Sequence, residues 1–197
     1  MLNKNDCLRI IAACRSDEIV VTTMGVVRPW TEFSSSDLDF ASVGSGMGHA
    51  ADFGLGLALA RPEVKVIVLN GDGSMLMSLG TLATIIDSGA KNIIIFVMEN
   101  GTYEVTGNQP TPGVGRISFT AMAVGAGFKR VYDYNRSDEL EKDLAEILKE
   151  DGPALVNLKV AAEEEPPPIR AKKNTAPYIT RTLADDAHRL RDTLLDR

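Results

Sequence analysis

Short, mainly apolar runs rich in β-branched residues occur at Ile19–Thr22, Val64–Leu69, Ile93–Met98 and Leu155–Val160. Each predicts a strand buried on both faces, because a strand with one wet face would alternate apolar and polar positions. A further short strand is expected over Phe40–Val43. Between these runs the apolar positions recur at helical spacing, which predicts helices over Asp6–Arg15, Gly48–Ala60, Ser74–Asp87, Ser118–Ala126 and Ser137–Glu150. The last has Ser137 as its expected N-cap and Lys149 near its C-terminus. Strand and helix alternate throughout, and fully apolar strands need cover above and below. The expected fold class is therefore α/β, a doubly wound, mainly parallel sheet with helices on both faces and right-handed crossovers.

The pattern breaks after Val160. Ala161 to Pro168 is acidic and then proline-rich, unable to continue a strand or fill a helix interior. A basic patch follows (Arg170, Lys172, Lys173), and then Leu183, Ala187, Leu190 and Leu194 fall at three- and four-residue steps, an amphipathic helix. The organisation expected is one α/β domain over residues 1–160 and a linker with a C-terminal helical arm over 161–197. That arm is either a solvated tail with one packed helix or a strap over a partner.

Charge narrows the function classes. Lys and Arg number 21 against 27 Asp and Glu, a net charge of −6, so no chain-wide basic field attracts nucleic acid or anionic lipid. The N-terminal stretch carries Lys, Asn, Asp and Arg inside its apolar pattern, and no later apolar run nears the roughly 20 residues that span a bilayer. A cytoplasmic location is expected. Cys7 and Cys14 stand 14 − 7 = 7 residues apart, on one helix face but about two turns distant. They are expected to be reduced core thiols.

The chemistry concentrates where a buried strand runs into Gly71-Asp72-Gly73-Ser74 and then a helix. Asp72 is placed at the carboxyl edge of the sheet, where ligands of parallel α/β folds bind and a helix N-terminus favours an anion. Gly71 and Gly73 suggest positive φ or close backbone approach of a phosphate. By itself this pattern is also an ordinary turn. The strand ending in Asn100-Gly101-Thr102-Tyr103 adds the second element, 100 − 72 = 28 residues on, the length of one βαβ crossover. Both side chains then reach the same sheet edge, on strands about 4.8 Å apart if they are neighbours. One carboxylate, one amide oxygen and a loop carbonyl half-fill an octahedral Mg²⁺ shell that diphosphate oxygens and water would complete.

Gly71-Asp72-Gly73-Ser74 followed by Asn100-Gly101-Thr102-Tyr103 resembles the motif of the thiamine diphosphate (ThDP)-dependent decarboxylase superfamily, in its diphosphate-binding domain. The likeness covers about Ile19 to Val160. Within that superfamily, Gly-Met-Gly-His-Ala at 46–50 and Thr106-Gly-Asn-Gln-Pro-Thr111 are similar to sulfopyruvate decarboxylase β subunits and to the C-terminal half of phosphonopyruvate decarboxylases. The resemblance implies thiamine diphosphate and Mg²⁺ as cofactors, with Asp72, Asn100 and the Thr102 carbonyl as metal ligands. It implies Gly71, Gly73 and Ser74 at the diphosphate, Tyr103 in the cofactor site, and Gly46 and Met47 at the rings, Met47 wedging between them; by residue type alone Met47 reads as a core methionine, and Tyr103 either lines the pocket or packs beneath the loop. A main-chain carbonyl near Ser45 would accept from the 4′-amino group. The pattern departs from the family at Glu99 and at Glu104, where an extra negative charge near the cofactor is expected.

In this superfamily a Glu on a separate pyrimidine-binding domain activates the cofactor, and Glu18 and Glu32 sit in the wrong half to be that residue. The expected function is thus the Mg²⁺-diphosphate subunit of a heteromeric enzyme that decarboxylates a 2-oxo acid, sulfopyruvate- or phosphonopyruvate-like, to an aldehyde, active only with a pyrimidine-domain partner. His49 could protonate an intermediate or contact substrate, or be a satisfied helix-terminal histidine. Thr22, Thr23 and Gly25 end the first strand at the same edge, as pocket or as turn. Three alternatives stay open: a non-catalytic or regulatory subunit of the same fold, an acetolactate synthase-like or oxoacid oxidoreductase-like β subunit, and a dinucleotide site. Two cysteines cannot supply four ligands to an iron–sulfur cluster. A Gly-x-Gly-x-Gly-x-x-Ala run at 44–51 lacks the acid about 20 residues on that NAD binding wants, since Leu69 and Asn70 stand there.

Overall fold

A computed structural model describes residues 1–42, 46–163 and 181–197. Six parallel strands form the main sheet: β1 (Ile19–Thr22), β2 (Asp39–Ala41), β3 (Val66–Gly71), β4 (Ile93–Glu99), β7 (Arg130–Tyr134) and β8 (Ala154–Lys159), in the order β2-β1-β3-β4-β8-β7. A two-stranded antiparallel ribbon pairs β5 (Thr102–Tyr103) with β6 (Gln109–Pro110). The helices are α1 (Lys4–Cys14), α2 (Met24–Trp30), α3 (Ala50–Ala60), α4 (Asp72–Met77), α5 (Thr81–Ser88), α6 (Phe119–Ala126), α7 (Ser137–Lys149) and α8 (Leu183–Leu195).

The expected doubly wound parallel sheet is present, and successive residues of each strand feed opposite cores. Val66 and Val68 of β3 pack with Ile93, Ile95 and Val97 of β4 beneath α3, α5 and α6, while Ile67 and Leu69 join Ile94, Phe96 and Met98 beneath α1 and α7. This two-sided burial is why the strands read as continuous apolar runs.

Several boundaries differ from expectation, each for a local reason. The helix expected over Ser74–Asp87 starts at Asp72 and breaks at Ser78–Gly80 into α4 and α5. Gly48 lies outside α3 at φ +87°, where an added Cβ would stand 2.6 Å from Met77 Cβ. Gly54 is the glycine that lets α3 settle onto β3, since a Cβ there would meet Val68 Cγ2 at 2.5 Å; Gly56 meets nothing. The N-cap of α7 is Arg136 rather than Ser137. Strand β7 was not expected because an edge strand reading Arg-Val-Tyr-Asp-Tyr has no apolar run. Helix α2 was obscured by Pro29, which removes a backbone donor.

Val43, at the end of the expected Phe40–Val43 strand, the Glu164–Pro168 stretch and the Arg170, Lys172, Lys173 patch lie outside the described residues. Helix α8 buries Leu190 and Leu194 in the core, and Arg189 donates to the carbonyls of Asp37 and Asp39 at 2.5 and 2.6 Å. The open edge of β2 thereby gains donors for acceptors that would otherwise recruit another strand. Cys7 and Cys14 are both free thiols, Cys7 buried.

Candidate active site

Strands β3 and β4 are immediate neighbours, with Gly71 opposite Met98, so the two spaced motifs meet at one edge as their separation predicted. Asp72 is 2% exposed. Its Oδ1 accepts the Gly73 N–H and its Oδ2 the Gly101 N–H, each at 2.8 Å, so one carboxylate ties the two motif loops together. Burial pushes the Asp72 carboxyl up to about 6; the two main-chain donors oppose this, and the carboxylates of Glu99 and Glu104 add to it. Asn100 Oδ1 accepts the Thr102 N–H at 2.8 Å, and the Thr102 hydroxyl donates to Asn108 Oδ1 at 2.9 Å. The Thr102 hydroxyl also stands 3.4 Å from Asn100 Oδ1, but its one proton has the shorter path to Asn108, so the Asn100 amide oxygen keeps a lone pair.

A cavity of about 330 Å³ opens at this edge. Its wall includes Gly46, Met47, Gly71, Asp72, Gly73, Ser74, Asn100, Thr102 and Tyr103, so nine of the expected site residues come together; Thr23 and Gly25 line it too. Ser45 lies outside the described residues. His49 does not line the cavity; its ring edge lies against Gly46, its Nδ1 is 2.7 Å from Asp52 Oδ2, and Thr81 donates to the other oxygen of Asp52 at 2.6 Å. Thr22 is buried, its hydroxyl 3.4 Å from the Phe40 carbonyl, and stays out of the wall.

Of the two reasons expected for these glycines of the first motif, positive φ is not the one. Neither Gly71 nor Gly73 has positive φ. An added Cβ at Gly71 meets nothing, whereas one at Gly73 would stand 2.5 Å from the Tyr103 ring; Gly73 is small so that the aromatic ring of the second motif can lie on it. Met47 is 62% exposed, which removes it from the core.

The expected effect of Glu104 is corrected by Lys4. Glu104 does line the cavity, but its Oε2 is 2.9 Å from Lys4 Nζ, the two side chains 5% and 1% exposed. The ammonium pairs the charge, although the Glu104 carboxylate still adds to the upward shift of Asp72. Glu99 points away, accepting from Asn157 Nδ2 at 2.6 Å. Lys4 was missed, although it sits at the head of the apolar stripe Cys7, Leu8, Ile11 of α1, and a cation in line with a buried stripe signals a buried partner. Ser42, at the end of β2, also lines the wall unforeseen.

The donor set suits a metal-bound phosphate ester. Among the described residues no three His, Cys, Asp or Glu side chains converge to hold a metal unaided, so a cation at Asp72 would need amide, main-chain and ligand oxygens. Ser74 Oγ is buried at this wall with no hydrogen-bond partner. A buried hydroxyl left unpaired costs free energy, and an anionic oxygen arriving in the cavity would accept from it.

A doubly wound α/β domain whose ligand cavity opens at the carboxyl edge of a βαβ crossover belongs to the class that holds phosphorylated cofactors at this place. The chain is a member of the thiamine pyrophosphate enzyme family through its C-terminal TPP-binding domain, which matches residues 30–158. It is 38% identical over 153 residues to phosphonopyruvate decarboxylase of Streptomyces viridochromogenes, covering 77% of this chain and 38% of that protein. It is 35% identical over 144 residues to sulfopyruvate decarboxylase subunit beta of Methanocaldococcus jannaschii, covering 73% of this chain and 75% of that one. In fold it resembles benzoylformate decarboxylase of Polynucleobacter necessarius, with a TM-score of 0.73 at 20% identity over 84% of this chain and 34% of that one. The chain thus spans about two-fifths of the phosphonopyruvate decarboxylase and three-quarters of the sulfopyruvate decarboxylase subunit. No helix among the described residues is long and apolar enough to cross a membrane.

Proposed function

We propose that this chain is the diphosphate- and Mg²⁺-holding part of a ThDP-dependent enzyme that decarboxylates a 2-oxo acid of the sulfopyruvate or phosphonopyruvate type to an aldehyde, in the cytoplasm, with a pyrimidine-domain subunit as its partner. The observation that carries the reading is Asp72, buried and bonded to both motif loops beside the unpartnered Ser74 hydroxyl. The named sulfopyruvate decarboxylase subunit supports the substrate class and the division between two chains.

In this reading Asp72, Asn100 and the Thr102 carbonyl hold Mg²⁺, Ser74 donates to the diphosphate, and Gly71 and Gly73 keep the wall low enough for it. Tyr103, Met47 and Gly46 line the space for the rings. Bound there, thiamine diphosphate supplies the electron sink that decarboxylation of a 2-oxo acid requires. Met47 and Met77, 62% and 49% exposed, give the mouth an apolar rim that a partner would cover and keep dry. His49, oriented by Asp52 just outside the wall, is a candidate to exchange a proton with substrate entering past Gly46.

Thermal unfolding with ThDP, with Mg²⁺ and with both tests the cofactor, and a panel of 2-oxo acids with and without a candidate pyrimidine-domain subunit tests the reaction. A rise in Tm that needs both components, and turnover that needs both chains, is expected. Robust turnover by this chain by itself would overturn the two-chain reading, and a Tm indifferent to Mg²⁺-ThDP in the presence of the partner would overturn the site.

A further inference from the structure

The Lys4–Glu104 pair stands in the cavity wall, yet nothing in the proposed cofactor contacts calls on it. Lys4 opens α1, and its Nζ lies 2.9 Å from Glu104 Oε2 and 3.4 Å from the Gly25 carbonyl. Pro29, four residues after Gly25 in α2, has no N–H to offer that carbonyl, so the ammonium takes an acceptor that the short helix leaves open.

From Glu104 the contacts run on into the second motif. Its Oε1 accepts the Glu163 N–H at 3.2 Å, and the Glu163 carbonyl accepts Asn108 Nδ2 at 3.3 Å. Asn108 Oδ1 takes the Thr102 hydroxyl, and Asn100 Oδ1 the Thr102 N–H. Asn3 Nδ2 reaches Glu163 Oε1 at 3.1 Å, so the start of α1 and the strand end after β8 grip the same point.

This loop needs such anchors. Between Asn100 and Ser118 regular structure amounts to two-residue strands and one 3-10 turn, and Gly101, Gly107, Asn108, Gly113 and Gly115 all have positive φ. A buried ion pair is often no more stabilising than well-packed apolar side chains of the same volume, so what this one adds to a ligand-facing wall is the fixed meeting of two segments.

We propose that Lys4 is a positioning residue for the cofactor site: by pairing with Glu104 it pins the Asn100–Thr102 loop in the shape that receives the metal and diphosphate. The inference rests on the reading of that loop as the Mg²⁺-diphosphate site. The pair also lets the loop carry a carboxylate into the wall without net charge. Lys4 is the single Lys, Arg or His among the lining residues, against Asp72 and Glu104.

Four proteins test it: wild type, Lys4→Met, Lys4→Arg, and the double variant Lys4→Met with Glu104→Leu, which removes both charges and so spares the fold an orphaned ion. Amide hydrogen exchange in the metal-free chain reads the loop at the Gly101 and Thr102 N–H groups and the core at β3 and β4. Titration with Mg²⁺-ThDP in the presence of the partner subunit reads the site. In the double variant, exchange at Gly101 and Thr102 should quicken about tenfold with the core amides unchanged, and half-saturation should need about tenfold more Mg²⁺-ThDP. Lys4→Arg should restore both readouts. Wild-type loop protection and half-saturation in the double variant would overturn the proposal, leaving the pair as filler. The exchange arm uses no cofactor, so a wild-type protein that ignores Mg²⁺-ThDP while the loop still loosens would mark the failure of the site reading and not of the anchor.

Discussion

Replacing Asp72 by Asn should make the metal-free protein no weaker while abolishing its response to cofactor. Burial lifts the Asp72 carboxyl from 3.8 to about 6, so at pH 7 the folded chain holds a charge that it disfavours by about 3 kcal/mol relative to the unfolded chain. Asn relieves that penalty and keeps one acceptor, but turns an NH₂ toward one of the two main-chain donors, at a cost of about 1–3 kcal/mol. The sum is a metal-free variant equal to wild type or up to about 2 kcal/mol more stable. Mg²⁺-ThDP at a hundred times its Kd adds about 2.7 kcal/mol to wild type, roughly 5–10 °C in Tm for a chain of this size, and nothing to the variant. The stability order of the two proteins therefore reverses on adding ligand.

The pH dependence has a definite sign. A folded pKa raised above the unfolded value means that the native state binds the extra proton, so the stability gained from protonated Asp72 is full below about pH 4 and lost as pH rises through about 6. Wild type in a chelator should show that slope, and Asp72→Asn should lack it. Differential scanning fluorimetry across pH 4–8, with chelator or with Mg²⁺-ThDP, measures both effects. A metal-free variant several degrees below wild type would show that the carboxylate is chiefly a structural tie, and an undiminished ligand shift would remove it from the metal.

The other expectations are brief. Met47→Ala, at a 62% exposed site, should change folding free energy by less than about 0.5 kcal/mol while lowering turnover of the two-chain enzyme; denaturant melts beside kinetics test this, and a loss of about 2–5 kcal/mol would return Met47 to the core. Gly73→Ala should destabilise, since its Cβ would strike Tyr103, whereas Gly71→Ala should fold normally because its Cβ meets nothing in the chain; equal melting temperatures for the two would refute the packing argument. Burial pushes the Cys7 thiol up to about 12 and raises that of Cys14 by less, so at pH 8 a thiol reagent should label native Cys14 first and Cys7 only on unfolding; prompt labelling of both would count against that burial.

The sequence by itself determined the sheet and the meeting of the two motifs. Ile93–Met98 and Val64–Leu69 could be read as doubly buried strands because apolar residues follow one another without alternation, with Lys65 the one polar position, and the interval from Asp72 to Asn100 has room for one right-handed crossover. Those signals are local or depend on spacing along the chain. What only the tertiary structure decided are the contacts between residues far apart in sequence. Gly73 owes its smallness to the Tyr103 ring, not to its own φ, and Glu104 finds its counter-charge in Lys4, 100 residues away. The same holds where burial is partial: β7 carries no continuous apolar run because it lies at the sheet's edge, and the helix expected over Ser74–Asp87 breaks at Ser78–Gly80. Hydrophobic periodicity reports how much of a segment is buried, whereas the partner of a particular charge or cavity wall is set by which distant elements the fold brings within a few ångströms.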